Sequence, residues 1–148
     1  MSIKSQKKNM QAIAQLVSQN LGYVYGRRES GPNGAKKQFH IKSKAFLRAL
    51  GKDLGFKDFK VTNNVGGIAV SGEITLMGMW TDTCGLYVQL FQSVTHHNDF
   101  LYRYIKHMKD YSGGYNQWLP CSLFAEGDYE ILLETLMPVG MEAVCHAA

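Results

Sequence analysis

Hydrophobic residues recur along this chain in two rhythms. Between Gly66 and Ser93 the period is two. Ile68, Val70, Ile74 and Leu76 fall on one side of an extended strand, with Ala69, Ser71, Glu73 and Thr75 on the other. Leu86, Val88 and Leu90 repeat the alternation, and the polar stretch Thr81 to Gly85 has the length and the glycine that close a hairpin. This hairpin is the element on which the rest of the chain is expected to pack. A further strand is read over 59–64, with Phe59 and Val61 inward and Asn63 to Gly67 turning the chain into the hairpin. Three strands joined by short turns make an antiparallel meander. A separate hairpin is predicted from Tyr23 to Arg28 and Lys36 to Lys42, joined by the turn-rich loop 29–35. Its second arm would place Phe39 and Ile41 inward and Lys36, Gln38, His40 and Lys42 outward.

The second rhythm is helical. Met10, Ile13, Ala14, Val17 and Leu21 mark a helix over 6–21, stopped at Gly22. Ser43 stands where an N-cap belongs, and the following helix, ending at Gly55, has Phe46, Leu47, Leu50 and Leu54 as its apolar stripe. Leu101, Tyr104, Ile105 and Met108 predict a helix after Asn98, and Ile131, Leu132 and Leu136 an acidic helix over 128–137, stopped by Pro138. Between these two lies a loop, 110–120, broken at Gly113, Gly114 and Pro120. Its residues Tyr115, Asn116 and Trp118 are candidates for contact with a partner, while folding back of Trp118 and Leu119 onto the core is the plainer expectation. The pattern as a whole predicts one α+β domain over 1–148, an antiparallel meander of four to five strands flanked by three to four helices.

Composition agrees with a globular domain. The chain has 148 residues, 45% hydrophobic and 19% charged, enough to bury a core without disulfides or metal. No apolar run approaches the roughly 20 residues of a membrane helix. The first residues, MSIKSQKKNMQAIAQL, lack the apolar centre of a leader, so a cytoplasmic location is expected, with no membrane partner. Cys84, Cys121 and Cys145 form an odd set without CxxC or CxxH spacing, expected as reduced thiols in that compartment.

Charge changes the picture more. Residues 1–60 hold 13 Lys and Arg against 3 Asp and Glu, a net of +10, whereas residues 61–148 hold 3 against 9, a net of −6. Lys44, Arg48 and Lys52 recur at intervals of four and share a helix face. With Arg27, Arg28, Lys36, Lys37, His40 and Lys42 they form the candidate surface for a polyanion. The opposing possibility is that the two halves neutralise one another.

Catalytic signatures are absent. No spacing among His96, His97, His107 and the cysteines matches a structural zinc set, so no metal or cofactor is expected. No nucleophile elbow or phosphate loop is present. A small enzyme built on a Cys–His pair stays open as an alternative, because such pairs assemble across a fold.

The stretches GLYVQLFQS and FLYRYIKHMKDYSGGYNQWLP (85–93 and 100–120), preceded by GGIAVSGEI, make the chain similar in style to small accessory proteins of bacteriophages and mobile elements. That resemblance implies a non-enzymatic protein, for example an inhibitor of a bacterial defence system, and carries over no site residues. The leading expectation is a binding protein that engages a nucleic acid, or a protein complex that handles nucleic acid, through its basic N-terminal surface. A protein-interaction module using the 110–120 loop and the acidic C-terminal helix is the alternative.

Overall fold

The computed structural model describes residues 2–17, 34–65, 72–91, 100–111 and 113–137. Two helices come first, α1 (Ile3–Val17) and α2 (Ala35–Asp53), followed by five strands, β1 (Asp58–Asn64), β2 (Glu73–Met79), β3 (Gly85–Phe91), β4 (Phe100–Ile105) and β5 (Gln117–Leu119). Helices α3 (Cys121–Glu126) and α4 (Tyr129–Leu136) complete the described order. The strands form one antiparallel sheet in sequence order, the predicted meander. The β2–β3 turn is closed by Trp80 and Thr81, whose amides both donate to the Cys84 carbonyl at 2.9 and 3.2 Å.

Register sorts the strand side chains onto two faces. Val61, Leu76, Val88 and Tyr102 stand in one row across β1 to β4, and Ile74, Leu90 and Phe100 in the next. This face meets the helices. Leu76, Ile74, Leu86, Val88, Leu90 and Phe100 are buried together with Phe46, Leu47 and Leu50 of α2 and Met10 and Ile13 of α1. Phe46 is a central contact, edge-on to Phe124 at 5.6 Å and to Tyr129 at 6.0 Å, while Phe100 stacks on Phe124 at 4.1 Å. Burying each such ring contributes about 1.5–3 kcal/mol.

Helix α1 starts earlier than the spacing predicts because the Ser2 hydroxyl accepts the Ser5 amide at 3.1 Å, an N-terminal cap. Gln6 is buried with it and donates to the Phe46 carbonyl at 3.1 Å, tying α1 to α2.

Three expectations are corrected. Lys36 to Lys42 is the first part of α2, a continuous 19-residue helix, and not a strand. Phe39 is buried as expected, but Ile41 is 45% exposed and His40 only 6%. In the helix, Phe39, Ser43, Phe46 and Leu50 share a side, so Ser43 is a buried mid-helix residue and no cap. Second, the segment expected as a helix after Asn98 is strand β4, covered on both faces: Phe100, Leu101, Tyr102, Arg103 and Ile105 are all buried. Third, Ile131 is exposed on α4; Tyr129, Leu132 and Leu136, at positions i, i+3 and i+7, form its inward side. The predicted arm 23–28 and residues 29–33 of its loop lie outside the described residues, as do 18–22 at the end of the first predicted helix, 66–71 with Ile68 and Val70, 92–99 and the tail beyond Met137; Gly34 and Ala35 of the loop open α2.

Cys84, expected as a thiol, is disulfide-bonded, and Cys121 opens α3 as a thiol. No helix among the described residues is long and apolar enough to cross a membrane.

Candidate functional site

The helix rhythm that buries Phe39, Phe46, Leu47 and Leu50 turns Lys37, Ile41, Lys44, Arg48 and Lys52 to the other side of α2. At 100° per residue these five fall within an arc of roughly 80°, and Lys37 to Lys52 covers roughly 22 Å along the axis. Lys37, Arg48 and Lys52 are exposed, and Lys44 is partly so. The result is a cationic ridge with one apolar side chain, Ile41, set into it. None of the four cations enters an ion pair among the described residues, whose ion pairs join Lys7 to Glu130 and Lys57 to Asp82.

The ends of the helix weight this ridge differently. Lys52 lies in the last turn, where the carbonyl end of the helix dipole favours a cation. Lys37 lies near the first turn, which holds no acidic residue and where a cation is disfavoured by a few tenths of a kcal/mol. The first turn thus adds the partial positive charge of the helix dipole to that end of the ridge.

The remaining predicted cations do not join it in one surface. Lys42 is exposed on a different side of α2, roughly 80–160° around the axis from the four ridge cations. Lys36 falls in the first turn of the helix, and Arg27 and Arg28 lie outside the described residues. His40 is no surface residue: its Nδ1 meets the Asn63 side-chain oxygen on β1, and its ring stands edge-on to Phe39 at 5.9 Å.

Among the described residues two bridges join the basic and acidic halves, Lys57 to Asp82 and Lys7 to Glu130 at 3.3 Å. Lys7 and Glu130 are both largely exposed, so their pair contributes about 0–1 kcal/mol.

The 110–120 segment forms a second surface. Tyr115 is 90% exposed, Asn116 is exposed, and Trp118 is 44% exposed on β5. Leu119 does fold inward, but Trp118 does not; it pairs in register with Leu101 and stands edge-on to Phe91 at 6.4 Å. Trp118 thus stands on the edge strand, on the face away from the helices, and Tyr115 lies two residues before that strand.

The face of the sheet opposite the helices escaped the sequence reading as a place for function. Lys60, Met77, Tyr87 and Arg103 stand in one row across β1 to β4, and Thr62, Thr75, Gln89 and Leu101 in the next. The alternation of β1 already places Lys60 and Thr62 opposite Phe59 and Val61. The signal missed was that β4 is a strand, which puts Arg103 beside Tyr87.

No family model matches the chain, and none of the curated proteins or solved structures does.

Proposed function

We propose that the protein is a non-enzymatic binding protein that engages nucleic acid, or an assembly presenting nucleic acid, through the ridge of α2. The observation that carries this reading is the alignment of Lys37, Lys44, Arg48 and Lys52 on one helix side, none of them in an ion pair among the described residues. A surface meant only for solubility has no need of single-sign alignment, and an aligned ridge left unpaired favours a polyanion. Its length, roughly 22 Å, spans about six phosphates of a strand at ~3.4 Å each. Such contacts fix position on the backbone and read no sequence. Occupying a charged site in this way suits the role of an inhibitor that blocks a nucleic-acid-handling complex, as the resemblance to phage accessory proteins implies. A cytoplasmic site of action goes with this proposal, and the Cys84 disulfide is the observation that weighs against it, because a reducing compartment keeps thiols reduced.

The test is a titration of labelled duplex and single-stranded oligonucleotides across a salt series. Four phosphate contacts predict a slope of log K against log salt of about −3.6 on duplex and −2.8 on a single strand. Absence of binding at low salt would refute the reading for free nucleic acid, and a slope near zero would refute the ridge as its cause.

A second reading is favoured by the exposure of Tyr115 and Trp118 beside the short edge strand β5. Aromatic side chains of this kind anchor protein interfaces. In that case Tyr115→Ala and Trp118→Ala abolish capture of a protein partner, and reversal of the ridge does not.

A further inference from the structure

A cavity of about 330 Å³ opens on the sheet face turned away from the helices, lined by Lys60, Thr62, Glu73, Thr75, Tyr87 and Tyr111. Its volume lies at the small end of the range that holds compact ligands. Its lining is mixed in a definite order. Lys60 stands level with Met77 on β2, and Glu73 lies four residues from Met77 along the same strand. The cationic and anionic ends are therefore roughly 13 Å apart along the strands. Between them the hydroxyls of Thr62 and Thr75 meet each other across the β1–β2 pair. Neither Lys60 nor Glu73 enters an ion pair among the described residues, although Glu73 Oε1 already accepts the side-chain amide of Asn64, another lining residue, at 3.0 Å, so a ligand amine would share this carboxylate with Asn64.

The aromatic wall is fixed before any ligand arrives. Tyr87 donates to the Gln89 side-chain oxygen at 2.6 Å, and one face of its ring is covered by the Arg103 guanidinium, 4.3 Å from the centroid. The same Arg103 donates from Nη2 to the Asp110 carbonyl at 3.0 Å, next to Tyr111. Asp110 in turn closes the loop by accepting the Lys106 amide at 3.0 Å and the Gly113 amide at 2.8 Å. Tyr111 is thus carried on a pinned turn, yet its ring is 64% exposed. An exposed aromatic ring lining a cavity of this mixed character is a stacking platform for a planar group.

The separation of charges decides between ligand classes. An α-amino acid carries its ammonium and carboxylate on one carbon and cannot reach both ends. A neutral sugar uses the hydroxyl and carboxylate groups but leaves Lys60 without a counter-charge. A nucleotide has a phosphate at one end, a planar ring for Tyr111, and, on cytosine, adenine and guanine, an exocyclic amine at the other. Carboxylates accept from such amines, as Glu and Asp do from cytosine N4.

We propose that this cavity is a nucleotide pocket, with Lys60 at the phosphate, Tyr111 against the base and Glu73 accepting from its exocyclic amine. The pocket goes beyond the ridge reading, because it lies across the sheet from α2 and needs none of the ridge cations. The occupant is either a free mononucleotide or an unpaired base of a strand.

Calorimetric titration with CMP, UMP, cytidine and a short cytidine oligonucleotide tests it. CMP binds, and UMP, which offers an oxygen in place of the amine, binds about tenfold more weakly. Tyr111→Ala weakens CMP about tenfold through the lost stacking. Lys60→Ala removes the advantage of CMP over cytidine, and Glu73→Gln removes that of CMP over UMP. Lys60 and Tyr111 are exposed, so their truncation leaves the core intact. Reversal of Lys44, Arg48 and Lys52 leaves CMP binding unchanged, which separates this pocket from the ridge. Binding of the oligonucleotide alone, with the same dependence on Tyr111 and Lys60, assigns the pocket to a base within a strand. No binding of either ligand, or binding indifferent to Tyr111→Ala and Lys60→Ala, overturns the proposal.

Discussion

Arg103 on β4 lies flat against Tyr87 on β3, its directly paired neighbour, with 4.3 Å between the guanidinium carbon and the ring centroid. Arg103 is 9% exposed, and its Nε has no hydrogen-bond partner among the described residues. The stack and the bond to the Asp110 carbonyl are what hold this cation under the 106–113 turn. Arg103→Ala is expected to cost about 2 kcal/mol in urea unfolding, the sum of a partly desolvated cation–π contact and one hydrogen bond. Arg103→Lys keeps the charge but loses the planar stack and recovers less than half of that. A loss below 0.5 kcal/mol for the alanine variant (roughly the scatter of surface substitutions) contradicts this role.

Two glycines make room for aromatic rings. A Cβ on Gly51 of α2 falls 2.6 Å from Phe59 Cε2, and one on Gly78 of β2 falls 2.3 Å from Phe56 Cδ2. Phe56 is wedged there against Trp80, at 4.8 Å between centroids, and Trp80 donates to the Leu54 carbonyl at 2.8 Å. By helix propensity alone Gly51→Ala stabilises by about 1 kcal/mol. Overpacking costs about 1–3 kcal/mol and wins, so Gly51→Ala is expected to lower the melting temperature. The double variant Gly51→Ala with Phe59→Leu should recover much of that loss. A more stable single variant would show that the Phe59 ring yields freely.

Stability should fall on the alkaline side. Burial, and then the neighbouring Tyr102, raise the Tyr104 phenol to about 12. Burial first, and then the bond to Asp53, push Tyr129 upward as well. A phenol whose pKa is raised by folding is held neutral in the folded state. Its contribution is complete below the ordinary value near 10 and is lost as pH climbs through the raised one. Unfolding free energy should therefore hold level up to about pH 10 for these groups and drop above it, less steeply in Tyr129→Phe. Stability unchanged between pH 10 and 12 contradicts the assignment.

Cys84 and Cys121 should differ in chemistry. Alkylation of the unfolded chain without reductant is expected to modify Cys121 and spare Cys84, which reacts only after reduction. Reduction should cost about 2–4 kcal/mol of stability. Alkylation of Cys84 without reductant would contradict the bond.

The sheet was legible where polar residues alternate with apolar ones, on β2 even though Thr75 and Met77 of the second face are buried as well. Ile74, Leu76, Leu86, Val88 and Leu90 alternate with partly polar neighbours, and their register follows. It was not legible at β4. There Leu101, Arg103 and Ile105 are buried on the second face, Leu101 paired with Trp118 of β5 and Arg103 and Ile105 against the 106–111 turn, and the run FLYRYI loses its alternation. Leu101, Tyr104, Ile105 and Met108 then fit a helical period by coincidence. In α2 the error ran the other way. Alternating cations and apolar residues over Lys36 to Lys42 imitate a strand, while the apolar side that makes the helix includes His40 and Ser43, which are polar. The ridge of Lys44, Arg48 and Lys52 was read correctly from spacing, and its extension to Lys37 required knowing that the helix begins at Ala35.

The ridge itself is tested most directly by comparing salt slopes. The protein and its Lys44→Glu, Arg48→Glu, Lys52→Glu variant, matched by circular dichroism, are titrated with the same duplex across a salt series. The account predicts that the variant binds far more weakly and that its slope is shallower by at least about 2.7, the share of three phosphate contacts. Equal affinity and an unchanged slope would contradict it.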